Sequence, residues 1–319
     1  MTQNKIAFFS EGGYSGKVPR NIPMRTDQAW VCALNATHYC VFNLNEIKEL
    51  YDIGVVIIPK EKNREHLAKQ NYPLIDNIRK HCKKIIIMQE GCHWDWMEDS
   101  VPTMVWFYNQ LLEADMLLCH NDADVNYYKG ITDKPCDILP TLMIEDNIKI
   151  ANQEDRVFVA GNWHLTYRGF DAWVISNEFS LPKYGFKSGK YKEGEEINGI
   201  NYLPWMDWYT FMYELSKCKY GIQTYQSSAG QFPLNCAYLG IPCIGYNDVN
   251  TQINLFPDLS VKRGDIHHAR KLAKRIQNDK DFYNEISNKA KILYTKLYKE
   301  DKFLINWNNI LKKINNDKK

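Results

Sequence analysis

The sequence predicts an α/β chain built as two doubly wound parallel-sheet domains that face each other across a cleft. Three observations carry that reading. Strand-like and helix-like segments alternate along the chain, the pattern that yields parallel sheets covered by helices. The clearest apolar run of the first half, Lys84 to Met88, lacks the alternation of a half-exposed strand and so belongs to a sheet covered on both faces. The alternation then lapses over a polar stretch near residue 145 and restarts, and 319 residues suit two cores better than one.

Taken in order, Lys5 to Ser10 reads as a buried strand, followed by a Gly- and Pro-bearing loop from Glu11 to Thr26. Asp27 is placed to cap a helix over Gln28 to Asn35. Tyr39 to Asn43 and Val55 to Pro59 read as short strands, and Leu67 to Cys82 as a helix whose start is complicated by Pro73. Lys84 to Met88 is a strand, Val101 to Ala114 a helix and Met116 to Cys119 a strand. Cys136 to Pro140 closes a first domain over residues 1–145. Residues 141–155, rich in Glu, Asp and Asn, read as the inter-domain connection. A second domain over 146–300 opens with the strand Arg156 to Ala160 and carries a polar loop or hairpin over 183–201. It continues with a helix over Asp207 to Cys218, a strand at Tyr220 to Gln223, a helix over Phe232 to Leu239 and a strand at Ile241 to Gly245. The chain is mostly helical from Ile266 to Leu311, and residues 301–319 form a basic terminal helix and tail that packs back toward the first domain.

Composition narrows the function. With 45% apolar, 24% charged and 13% aromatic residues the chain is globular. No segment approaches ~18 consecutive apolar residues, which argues against a membrane span. Met1 to Lys5 leads straight into a strand, too short for a secretory signal. Nine cysteines, an odd number with no Cys-x-x-Cys pair, lie mostly within apolar runs. They read as buried free thiols of a cytoplasmic protein rather than as disulfides or a zinc site. The net charge of +2 divides unevenly: residues 1–150 hold 16 Lys and Arg against 20 Asp and Glu, and the remainder 24 against 18. A mildly basic second half suits an anionic ligand such as a diphosphate, although Lys312, Lys313, Lys318 and Lys319 of the tail supply much of the excess.

In open parallel sheets ligands bind beyond the carboxyl ends of the strands, so the loops that follow strands hold the candidates. The loop Glu11 to Lys17 carries three glycines and a lysine. It matches neither Gly-x-Gly-x-x-Gly nor the phosphate loop ending in Lys-Ser/Thr, because Val18 follows Lys17. It reads as an acceptor-side loop presenting Tyr14, or as a structural turn. The run Gln89-Glu90-Gly91-Cys92-His93-Trp94-Asp95-Trp96 places two carboxylates, an imidazole and two indoles after the best strand. Glu90, Asp95 or His93 there is able to take the proton of an attacking hydroxyl, and His93, Trp94 and Asp95 to hold an acceptor. The bland alternative is that Asp95, Glu98 and Asp99 merely cap the next helix. After the first strand of the second domain, Gly161 and Asn162 allow close backbone approach and Arg168 is suited to a diphosphate.

The most informative stretch runs from Leu203 to Gly245. A strand leads into Ser227-Ser228-Ala229-Gly230-Gln231, then a helix containing Asn235, a Gly240-Ile241-Pro242 turn and another strand. The Ser/Gly turn frees amide groups at a helix N-terminus for an anion, Asn235 is placed to reach a ribose, and Trp205 lies before the stretch to stack on a base.

That stretch resembles the donor-site core of GT-B glycosyltransferases, in which an acidic residue stands five positions before a Gly-x-Pro turn. Here Asn235 takes that place, and Ser227 stands where members of the E-x7-E type carry a second glutamate. The resemblance covers the architecture of nearly the whole chain, which would make both domains Rossmann-like, but covers motifs only over 203–245. The layout is also similar to the phage DNA β-glucosyltransferases, which are inverting. Their catalytic acid follows an apolar strand of the N-terminal domain, where Glu90 stands, and their arginines on the loop after the first strand of the second domain hold the diphosphate, where Arg168 stands.

The resemblance implies a transferase that moves a sugar from a nucleoside diphosphate sugar, a UDP-sugar above others, to an acceptor hydroxyl. Glu90 would be the base in a single inverting displacement, with Asp27 and Glu11 in reserve. No obligatory metal is expected. Asp122 and Asp124 mimic the Asp-x-Asp of metal-dependent transferases but read better as the cap of a following helix. The acceptor is a glycan, a small molecule or hydroxymethylated bases of DNA, although a net charge of +2 is a weak duplex footprint. The reading from another class is a non-catalytic nucleotide-sugar-binding protein.

Overall fold

A computed structural model describes residues 4–12, 14–24, 26–161, 169–186, 194–225 and 229–316. The chain divides into two compact units, residues 1–144 with 303–319, and residues 145–302. The first unit contains β1 (Ile6–Ser10), α1 (Thr26–Ala33), β2 (Thr37–Cys40), β3 (Tyr51–Val56), α2 (Glu61–Lys69) and α3 (Leu74–Arg79). It continues with β4 (Cys82–Met88), α4 (Val101–Glu113), β5 (Met116–Cys119), α5 (Asp122–Ile131) and β6 (Cys136–Ile138). Its six strands pair in parallel in the order β2-β1-β3-β4-β5-β6. Apolar side chains on both faces explain the unalternating runs: Phe8, Val55 and Ile86 point into one core, while Phe9, Val56 and Ile87 point into the other.

The second unit carries β7 (Val157–Ala160), α6 (Gly169–Ser176), β8 (Lys183–Phe186), β9 (Ile200–Leu203), α7 (Trp208–Ser216) and β10 (Tyr220–Gln223). It proceeds through α8 (Gln231–Leu239), β11 (Cys243–Tyr246), α9 (Asn250–Leu255), β12 (Ser260–Val261), α10 (Ile266–Asn278) and α11 (Lys280–Leu297). Its sheet is again parallel, in the order β12-β11-β10-β7-β8-β9. The last helix, α12 (Glu300–Asn316), sends Phe303, Trp307, Ile310, Leu311 and Ile314 into the core of the first unit beside Trp30.

Several sequence expectations need correction. The helix foreseen over Leu67 to Cys82 is two helices, because Pro73 lacks a donor and bars the helical conformation at Tyr72. Asp27 is not a cap: α1 already begins at Thr26, and Asp27 lies in its first turn. The segment 141–155 is polar only in part, for Leu142, Met143 and Ile144 are buried and Leu142 and Ile144 join the first core. The loop or hairpin expected over 183–201 holds instead two neighbouring parallel strands at its ends, with Lys183 opposite Ile200 and Phe186 opposite Leu203. All nine cysteines are free thiols, eight of them buried. No helix among the described residues is long and apolar enough to cross a membrane.

Candidate functional site

At the carboxyl end of the first sheet, loops from β1, β4 and β5 gather polar groups. His93 follows β4, and its ring Nδ1 lies 2.7 Å from Asp124 Oδ1, which also accepts from the His93 backbone N–H at 3.0 Å. Asp124 is fully buried in the first turn of α5 and takes a further bond from Asn121 Nδ2 at 3.3 Å. An ionised Asp124 only accepts, so Nδ1 is the donor of this bond. The ring stacks on Tyr127 at 4.5 Å and meets the edge of Trp94 at 4.7 Å, which fixes its plane, while its side chain stays 20% exposed. An oriented, partly exposed imidazole with a buried carboxylate behind it has the geometry of a general base.

Glu90, the sequence candidate for the base, forms an ion pair with Lys60 at 3.0 Å. Asp95 is close to Lys60 and Arg64, yet burial raises its carboxyl above the usual range, against the pull of Lys60. Asp95, Glu98 and Asp99 do not cap α4: its cap position is Ser100, and Asp99 pairs with the buried Arg64. Glu11 accepts from the Lys60 backbone N–H at 2.8 Å and from Asn63 Nδ2 at 3.3 Å, holding the start of α2. Asp27 sits 3.4 Å from Ser10 Oγ, which in turn lies 2.8 Å from His38 Nε2. His38 Nδ1 donates to the Tyr14 carbonyl at 2.7 Å, and the Tyr14 ring stacks on the imidazole at 3.9 Å. Burial lowers the His38 pKa and raises that of Tyr14. His120, after β5, is buried too and likewise pushed down by burial, against the charge of Glu90.

Asp122 and Asp124 do not act as the expected cap. Asn121 holds the cap position of α5 with no side-chain cap bond, and Asp124 serves His93 instead. Among the described residues no group of three His, Cys, Asp or Glu side chains is arranged to hold a metal.

In the second unit the described part of the informative stretch folds as β10, α8, the Gly240 turn and β11. Gly230 opens α8 in the left-handed region at φ 72°, and a side chain there would collide with Thr251 Oγ1, which donates to the Gly230 carbonyl at 2.8 Å. Asn235 is buried in α8, and its Oδ1 accepts from Gln231 Nε2 at 3.0 Å, so it faces back toward the first turn. Trp205 is 86% exposed beyond β9. Gly161 ends the described part of its loop at φ 101°. Asn162, Arg168, Ser227 and Ser228 lie outside the described residues.

No protein-family model and no curated protein sequence matches this chain. Solved structures do. Sucrose-phosphate synthase from Thermosynechococcus elongatus superposes with a TM-score of 0.72 over 98% of this chain and 99% of that one, at 10% identity. The fold is GT-B. Anabaena HepE, solved with UDP and glucose, has a TM-score of 0.64 over 97% of this chain and 100% of its own, at 9% identity. An α-glucosyltransferase solved with UDP and a 13-mer DNA has a TM-score of 0.62 over 98% and 100%, also at 10% identity. This last similarity is to an α-enzyme, where the sequence pointed to the phage β-type.

Sequence reasoning missed the Ser10–His38 pair, the service of Asp124 to His93, and Gln223 at the end of β10. The Asp124 link had a signal: β4 and β5 are neighbours, and loops after neighbouring parallel strands converge.

Proposed function

We propose that the chain is a glycosyltransferase that moves a sugar from a nucleoside diphosphate sugar, a UDP-sugar above others, to an acceptor hydroxyl. The observation that carries this reading is the β10–α8–β11 unit. A left-handed glycine opens a helix at the sheet's carboxyl edge, and that helix buries a polar Asn235 turned toward its own first turn. The likeness to proteins solved with UDP supports it. In this reading the second unit holds the donor through Gly161, Asn162, Arg168, the 227–231 turn and Asn235, with Trp205 toward the base. The first unit presents the acceptor beside Tyr14, Trp94 and Asp95.

His93, oriented by Asp124, takes the proton of the acceptor hydroxyl, and Glu90 with its Lys60 partner is the alternative base. The acceptor oxygen forms a bond to the anomeric carbon as the bond to the β-phosphate oxygen breaks, and its electron pair leaves with the diphosphate. Arg168 and the amides at the start of α8 receive that charge. A single displacement inverts the anomeric centre, with no obligatory metal. A cytoplasmic setting fits the free thiols. The acceptor is a glycan, a small molecule or DNA. The likeness to the α-glucosyltransferase solved with DNA favours a second reading, retention with DNA as the acceptor.

The test follows UDP release and product formation from UDP-glucose with glycan, small-molecule and hydroxymethylated-DNA acceptors, for wild type and His93→Ala. Turnover is expected to fall by about 10²–10⁴-fold in the variant, with UDP affinity kept. An α-linked product replaces inversion with the second reading. Binding without transfer or hydrolysis leaves a binding protein, and failure of every nucleotide to bind removes the donor assignment.

A further inference from the structure

Gln223 is the last residue of β10 and only 3% exposed, yet neither its Nε2 nor its Oε1 has a hydrogen-bond partner among the described residues. Buried side-chain amides are nearly always paired, so two unmatched atoms on one group require an explanation. The direction of the side chain follows from the strand. Residues two apart share a face, so Gln223 projects on the same side as Gly221. A Cβ at Gly221 would lie 3.0 Å from Cys236 Sγ and 3.1 Å from the Phe232 ring, so that side is the one covered by α8. In a parallel sheet the carboxyl end of a strand lies by the N-terminus of the helix that follows. Gln223 therefore projects beneath the first turn of the nine-residue α8, where Gln231 and the buried Asn235 are already joined. Helix terminus and unmatched amide are independent features that meet at one place.

We propose that the Gln223 carboxamide binds the donor, donating through Nε2 and accepting through Oε1 at a hydroxyl of the nucleotide sugar. The assignment rests on the donor-site reading of the second unit. A hydroxyl fits because it both donates and accepts, whereas a diphosphate oxygen would satisfy Nε2 and leave Oε1 unmatched. The ribose and the transferred sugar both carry such groups.

The experiment compares wild type with Gln223→Met, which keeps the volume and removes both polar atoms, and with Gln223→Leu in case the thioether packs poorly. Melting is measured without ligand, and UDP and UDP-glucose are titrated calorimetrically. The apolar variants are expected to melt higher than wild type and to bind donor about tenfold more weakly, because the orphaned atoms are gone and so is the bond they make with donor. Weakening toward both ligands assigns the ribose, and weakening toward UDP-glucose alone assigns the transferred sugar. Unchanged donor affinity overturns the proposal while leaving the donor site standing. A lower melting point in both variants also overturns it, since the amide would then be matched already in the free protein, as by an internal water. If wild type binds no nucleotide at all, the donor-site reading fails and this assignment falls with it.

Discussion

His38 and His120 are imidazoles without solvent, and both are held neutral by burial. Their folded pKa values lie below the unfolded value of roughly 6.5, so the unfolded chain binds more protons once the pH drops through that value. Stability is therefore whole above about pH 6.5 and is lost as the pH falls toward the folded values. Asp95 works with the opposite sign: its raised carboxyl stabilises below the ordinary range near pH 4 and loses that contribution as the pH rises. Between pH 7 and 5 two buried histidines press toward lower stability on acidification against this one carboxyl. The melting temperature should decline across that interval, and His38→Asn, which keeps a donor for the Tyr14 carbonyl, should flatten the decline. A melting temperature that is flat or climbs on acidification would contradict the buried neutral assignment. At this same scale the sequence revealed His93 by its place after the best strand, but not its partner. Asp124 is 31 positions away and looked like a cap, because spacing alone does not show which carboxylate a converging loop delivers.

Among elements, α12 shows what local pattern reveals and what it leaves out. Its helical character was visible, and the helix and tail over 301–319 were expected to pack back toward the first domain. That Phe303, Trp307 and Ile310 complete the core around Trp30 is a matter of packing. Trp307→Ala should cost about 3–5 kcal/mol in urea unfolding of the whole chain, the range for a large aromatic removed from a core. A loss below about 1 kcal/mol would mean that the site collapses around the deletion and that α12 adds little to that core. The β8–β9 pair shows the reverse case. The polar residues over 183–201 suggested a loop or hairpin, yet β9 pairs with β8 in parallel, an outcome no two-residue period encodes. The split of α2 from α3 was foreshadowed by Pro73, whose effect on the preceding residue is local and hence readable.

For the molecule as a whole, alternation and length revealed two parallel sheets because each strand and helix is specified by its own short pattern, whereas side-chain delivery to the sheet edges depends on register. Two similar sheets carry different chemistry at their carboxyl ends: among the described residues the first gathers the His93–Asp124 and Glu90–Lys60 pairs, and the second the amides of Gln223, Gln231 and Asn235 along with the Arg263–Asp248 ion pair. The proposed function places the donor on the second unit and proton transfer on the first, and hydrogen exchange tests the division. With UDP alone, the largest gain in protection should fall on the end of β10 and the first turn of α8. Residues 89–95 should gain comparable protection only when an acceptor is also present, because they are proposed to touch the acceptor and not the nucleotide. UDP protection centred on residues 89–95, with β10 and α8 unchanged, would place the nucleotide on the charged edge. The amide cluster of the second sheet would then need another ligand.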